Sequence, residues 1–291
     1  MADLTKPTAT TTAAKKPAAQ PNKGGNLIAT LAPIACIIAG YVIWRFVLGN
    51  ASNFSNPDKS GAWFWPSHKG PLGTFTKMYE GGIVVPILIG CFLIVLTFVV
   101  ERLLTIRKAA GAGNIAEFVR SVQFHLANKE VDKAIAACDK QKGSVGNVMK
   151  AGLKKYKEMI TNTELVTEQK VMNIQKEVEE ATSLEMPMLE KNMTIIATLV
   201  SIGTLMGLLG TVSGMIKAFS GLAAAGAPDQ AALATGISEA LINTATGIGT
   251  STLAIISYNL FTSKIDKLTY SIDEAGFAIT QAYRRMKGKA A

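Results

Sequence analysis

Two apolar segments, each longer than the roughly 20 residues a bilayer core requires, occupy residues 193–221 and 231–261 with one short turn between them. They constrain the fold more than any other feature, because hydroxyls, glycines and one acid are set into otherwise apolar sequence. Glu239 lies inside the second segment, and a carboxylate at hydrocarbon depth costs about 2.5 to 3.5 kcal/mol even on the lower scales. A residue of that cost calls for a polar partner, water or a task.

The remaining composition points the same way. Mean hydropathy is +0.26 and hydrophobic residues make up 48% of the chain, gathered in blocks rather than spread at amphipathic spacing. Two further blocks, 27–48 and about 82–100, are long enough to cross a membrane. The fold class expected is therefore all-α, a polytopic membrane protein with four transmembrane helices and a helical cytoplasmic domain. A net charge of +9 would suit nucleic acid, but the lysines and arginines sit in the tails and in a central polar region beside many glutamates. Membrane topology accounts for them better, and no nucleic-acid partner is expected.

Chemistry-bearing motifs are missing. Cys36, Cys91 and Cys138 have no metal or disulfide spacing, His68 and His125 stand alone, and no hydrolase or nucleotide-binding motif occurs. The sequence thus carries no enzyme signature and implies neither a cofactor nor a metal site.

Read from end to end, residues 1–26 form a basic cytoplasmic tail with nothing to bury, expected to be disordered. Span 27–48 follows, then a periplasmic segment, 49–80, that holds Pro57, Trp63, Phe64, Trp65, Pro66 and Tyr79. Its tryptophans suit a membrane boundary, and an ordinary loop would account for them almost as well. The second span closes on Glu101-Arg102, with Arg107 and Lys108 beyond, marking a cytoplasmic edge.

Residues 104–191 show helical stripes at Ile115, Phe118, Val119 and Val122, at Val148, Leu153 and Tyr156, and at Val171, Ile174 and Val178. Thr161 and Glu164 have capping-box spacing for the last of these helices, and Pro187 is expected to kink or interrupt it. After the fourth span, residues 263–291 read as a tail, basic over 271–291. Lys6, Lys15, Lys16 and Lys23 precede the first span, Lys264 and Lys267 follow the fourth, and the 224–230 turn has no basic residue. Both termini are then expected in the cytoplasm.

On the third span, Thr204, Gly207, Thr211, Met215 and Ala218 share one narrow face, and Gly203, Gly207, Gly210 and Gly214 offer close approach to a neighbouring helix. Thr211 has two readings, a hydroxyl bonded to its own backbone or one lining a pore. On the fourth span, Thr235, Glu239, Asn243, Thr246, Thr250 and Ser257 fall within about 40° of one line on an ideal helix. That stripe has to meet protein or water, as a solvated, ion-linked interface or as a structural hydrogen-bond seam.

Two blocks carry a resemblance: Gly207-Leu-Leu-Gly-Thr-Val-Ser-Gly-Met-Ile-Lys-Ala-Phe219 and Gly236-Ile-Ser-Glu-Ala-Leu-Ile-Asn-Thr-Ala-Thr-Gly247. Together with Glu101-Arg102 they resemble the ExbB/TolQ/MotA proton-channel family, nearest its ExbB branch, over an ExbB-like region of 81–270. The resemblance implies an inner-membrane energy transducer in which five copies ring the helices of an ExbD-like single-span protein that supplies an essential aspartate. A TonB-like protein would pass the output to outer-membrane transporters, with membrane lipid around the ring.

By motif position, Thr211 and Thr244 match the family's pore-facing threonines and Glu239 its glutamate. Thr244 lies about 140° around an ideal helix from Glu239, so we place Thr244 with Thr211 towards the pore and Glu239 against a neighbouring helix or subunit. The chain departs from the pattern in having Thr204 where a proline is frequent, and in its additional first helix. A TolQ-like or flagellar-stator-like subunit, a structural scaffold and an autonomous ion channel are the rival readings. Protons rather than Na⁺ follow from the resemblance, since hydroxyls and carboxylates serve both ions.

Overall fold

The computed structural model describes residues 23–58, 64, 66, 68–73, 76–224 and 230–288. The chain is all-α and multi-pass, with four helices among the described residues long and apolar enough to cross a membrane. Helix α1 (Lys23–Val42) runs into a π-helical turn at Ile43–Leu48. A small antiparallel pair follows, β1 (Phe54–Asn56) with β2 (Lys69–Pro71). A 3-10 turn, Thr76–Gly81, then leads into α2 (Val84–Ala110). The polar region folds as α3 (Ile115–Ala127), α4 (Val131–Gln141), α5 (Gly143–Thr161) and α6 (Thr167–Glu190). Two long helices finish the chain, α7 (Met193–Ala224) and α8 (Gln230–Gly288).

In the membrane layer α1 leans on α2 where two glycines meet. A Cβ on Gly40 would lie 2.6 Å from the Gly90 nitrogen, so only bare backbone allows this approach. Beyond α1, Trp44 stacks on Tyr79 at 4.4 Å and Phe54 on His68 at 4.9 Å. The Tyr79 hydroxyl donates to the Pro66 carbonyl at 2.5 Å, and burial pushes its pKa up to about 12. Trp44, Phe54, His68 and Tyr79 thus pack as a buried aromatic cluster beyond α1. Trp63 and Trp65 lie outside the described residues, as do 1–22 and 225–229.

The polar domain buries one continuous core. Val122, Ala134, Val145, Leu153 and Ile174 are fully enclosed, as are Ile272, Ala275, Ile279 and Tyr283 from α8. Residues 263–288 are therefore not a tail but the second half of α8. Their buried positions, Ile265, Leu268, Ile272, Ala275, Ile279 and Tyr283, recur every three or four residues, while Lys264, Lys267, Arg284 and Arg285 are exposed. Tyr283 fixes this end, its hydroxyl donating to the Met159 carbonyl at 2.9 Å and its ring meeting Tyr156 edge-on at 5.2 Å.

Three local expectations change. Helix α1 already begins at Lys23, inside the stretch expected as tail. Thr161 ends α5 rather than opening α6, because its hydroxyl turns back to the Glu158 carbonyl at 2.8 Å. Asn162 makes the turn, its Oδ1 accepting from the Glu164 and Leu165 amides at 2.9 and 3.1 Å. Pro187 stays within α6, and the break comes later, where Asn192 adopts φ 61°.

That break is held by Arg102, which is 1% exposed. Its Nη1 donates to the carbonyls of Met188 and Leu189, both at 3.3 Å, near the C-terminal end of α6 where carbonyls lack helical partners. Glu101 accepts from Arg102 Nε at 2.7 Å and from Asn192 Nδ2 at 3.2 Å. The Glu-Arg pair at the end of the second span therefore clasps α2 to the α6–α7 junction.

Candidate ion-pathway site

Helices α7 and α8 lie antiparallel and close because glycines face each other along their length. A Cβ on Gly203 would come 2.6 Å from Ser251 Oγ, one on Gly207 3.2 Å from the Asn243 carbonyl, one on Gly210 2.3 Å from Asn243 Cβ, and one on Gly214 2.7 Å from the Gly236 carbonyl. The α8 side contributes Gly236 and Gly247, whose added Cβ atoms would meet Ala218 at 2.7 Å and the Gly203 carbonyl at 2.5 Å. Sequence reasoning credited the approach to α7 alone. The signal for the other two was their separation by close to three helical turns, which puts them on one face.

This register sets Lys217 on α7 against Glu239 on α8. Lys217 Nζ lies 2.6 Å from Glu239 Oε1, with the carboxylate side chain 5% exposed and the lysine 55%. Lys217 is the functional candidate that the sequence reading passed over. It stands as many residues before Pro228 as Glu239 stands after it, so a tight hairpin brings the two together.

The turn before α2 roofs the pair. Gly82 has φ 71°, and a Cβ there would fall 2.4 Å from Glu239 Oε1 and 2.9 Å from Lys217 Nζ. Asn243, fully buried, donates through Nδ2 to the Gly81 carbonyl at 3.0 Å, while its Oδ1 has no partner among the described residues. In the same turn, burial holds the Glu80 carboxyl above its ordinary range, against the pull of Lys77 and with the push of Glu239.

The other seam residues divide into groups. Thr250 is buried and donates to the Thr246 carbonyl at 2.9 Å. Half-buried Thr246 bonds the Ile242 carbonyl at 2.8 Å and borders a groove between α2 and α8 with Met78, Ile89 and Phe92. Thr204 reaches Ser251 Oγ at 2.9 Å, across the hairpin. Thr235 joins none of them; it is exposed and bonded to the Ala231 carbonyl at 2.9 Å. The single line expected on α8 is split because α7, α2 and the glycine turn each cover a different part of it.

Thr211 and Thr244 occupy different settings. Thr211 bonds the Leu208 carbonyl at 2.6 Å and borders an open groove of about 630 Å³ with Val212, Met215, Ile216, Phe219 and Ser220. Thr244 lies in the hairpin seam, its hydroxyl 3.2 Å from the Ala240 carbonyl and 3.4 Å from that of Gly207. Glu239 is packed between α8, α7 and the turn before α2 within this one chain.

Residues 140–274 match the MotA/TolQ/ExbB proton channel family. The matched segment runs from the end of α4 into the second half of α8, and it holds every α7 and α8 residue of the seam. The match supports a proton channel of this type in a multi-pass membrane protein. Such proteins are ion channels rather than enzymes, and the match is to the family as a whole rather than to one branch of it. No curated protein matches the chain.

Proposed function

We propose that this chain is the ring-forming subunit of a proton-motive-force-driven motor in the inner membrane. It works with an ExbD-like single-span partner, and a TonB-like protein carries the output to transport across the outer membrane. In this reading the ring is a homopentamer with both termini in the cytoplasm, an orientation that the basic pattern of the sequence supports.

The observation that carries the proposal is the direction of Thr211. Its side chain opens onto an apolar groove at the surface of α7, while Glu239 and Asn243 are closed inside the chain. Among the described residues, no acidic side chain lines that groove with Thr211. A partner helix bearing a carboxylic acid would complete a relay there, and a ring of copies would enclose that helix.

The test is proton flux into vesicles that contain the chain with a single-span partner co-purified from the native membrane. Thr211→Val should leave the ring intact and abolish partner-dependent flux. Undiminished flux in that variant would defeat the proposal. A structural scaffold is the second reading, favoured by one observation: Thr204, Thr211, Thr244, Thr246 and Thr250 each bond a carbonyl of their own helix. A scaffold would show no flux in any variant.

A further inference from the structure

The polar domain sorts its charge by helix. Residues 129–161, which hold α4 and α5, carry eight lysines against four acids, whereas residues 164–190, which hold α6, carry seven acids against two lysines. Surfaces ordinarily intersperse the two signs, and here the division falls between helices packed on each other. On α5, Lys150, Lys154 and Lys157 fall within about 60° of arc on an ideal helix. Lys150 is bonded to Asp139, and Lys157 to Asp132 at 2.5 Å, while Lys154 is exposed and makes no ion pair with a described residue. On α6, Glu168, Met172, Glu179 and Glu190 lie within about 40° of one line and are all exposed, as is Glu180. Contacts between the two helices fix their relative height. A Cβ on Gly152 would lie 2.7 Å from Val178, and Asn147 donates to Glu185 at 3.0 Å. The helices are therefore antiparallel, with the Lys150–Lys154 turn at the height of the Glu177–Glu180 turn. Ile160 at the end of α5 and Met172 near the start of α6 share one end of the pair, 37% and 68% exposed.

We infer that the outer face of α6 is a docking surface for a second copy of this chain, which meets it with the outer face of its own α5. The inference rests on the ring reading. A ring about the membrane normal keeps every copy at one height and joins unlike faces head to tail. A basic strip and an acidic strip at equal height on one subunit are the two unlike faces that such a ring requires. Lys154 of one copy then faces Glu179 and Glu180 of the next, with Ile160 against Met172. Each exposed ion pair contributes little alone. The sorted charge acts instead on register, drawing unlike faces together and keeping like faces apart.

The test treats the full chain in lipid nanodiscs with a carbodiimide, which joins lysines to carboxylates in contact. Wild type should give covalent dimers on a denaturing gel, and peptide mapping of the dimer band should find Lys154 joined to Glu179 or Glu180. Lys154→Glu, which sets acid against acid, should lower the dimer yield several-fold. Adding Glu179→Lys and Glu180→Lys to it should restore the yield through the reversed join. A dimer band without this join, or a yield untouched by Lys154→Glu, would overturn the inference. If Lys154→Glu does not fold, Glu179→Lys with Glu180→Lys is the second variant, and an undiminished yield there would assign the acidic face to another partner and overturn the inference too. A chain that stays monomeric would defeat the ring reading as well. None of these measurements needs a proton flux, so a joined ring that conducts nothing would count against the motor alone, and a conducting complex without the join against this inference alone.

Discussion

Asn243 donates through Nδ2 to the Gly81 carbonyl at 3.0 Å, and this bond ties the N-terminal quarter of α8 to the turn before α2. The two residues are far apart in sequence, and both are buried where they meet. The bond sets the turn over the Lys217–Glu239 pair and so fixes where the polar part of the hairpin ends.

Replacement of Asn243 by alanine strands the Gly81 carbonyl without its donor in a buried place. The expected cost is about 1 to 3 kcal/mol. Thermal unfolding in detergent should show a lower midpoint, and an unchanged midpoint would mean that the turn is held by something else.

Two glycines of the membrane layer should respond in opposite ways. Gly210→Ala places a methyl 2.3 Å from Asn243 Cβ, so the helices must separate, at a cost of about 1 to 3 kcal/mol. Gly249→Ala meets nothing within 4 Å and should be neutral or better, since alanine favours a helix over glycine by about 1 kcal/mol. Equal stability of the two variants would contradict the close approach of α7 and α8.

Arg102→Ala removes the donor that caps the end of α6 and leaves Glu101 without its cation. Breaking a buried ion pair costs about 3 to 5 kcal/mol, and the 31% exposure of Glu101 argues for the lower part of that range. Arg102→Lys should rescue little, because an ammonium cannot reproduce the planar fork that serves both carbonyls and the carboxylate. Limited proteolysis at the α6–α7 junction reads the result; a wild-type cleavage pattern in both variants would count against the clasp.

Cys138 supplies a pH test of the polar domain. Burial, with help from Asp139 and against Lys150, pushes the thiol up to about 12 from an ordinary 9.0. The folded form therefore disfavours the thiolate, so the associated stability is complete below about pH 9 and is lost as pH climbs towards about 12. Because the thiolate is the nucleophile, alkylation of Cys138 near pH 8.5 should be at least about tenfold slower in the folded chain than after denaturation. Equal rates, read by peptide mapping, would show that the α4–α5 core is open.

The apolar stripes of the polar domain were legible because helical periodicity is a local property: Phe118, Val122, Leu153, Tyr156, Ile174 and Val178 are buried. The same periodicity continues through Ile265, Leu268, Ile272 and Ile279, but the basic residues around it led to a tail. Charge content is a weak guide there, since one face of a helix can carry every charge while the other packs. Thr161 and Glu164 show the reverse failure. Their spacing suits a cap, yet the helix already running through Thr161 claimed its hydroxyl first.

The linear chain on its own decided that this is a multi-pass helical protein with costly polar groups in its last two spans, because hydropathy blocks and helical period depend only on neighbours in sequence. It also placed Thr211, Thr244 and Glu239 within those spans. Which of them face one another was settled only when the helices met. The glycines of α7 and α8 allowed one tight register, and that register gave Glu239 to Lys217, Asn243 to Gly81 and Thr211 to the open groove. The physical reason is that a side chain's partner depends on the rotation and depth at which helices pack, and backbone contact between facing glycines fixes both.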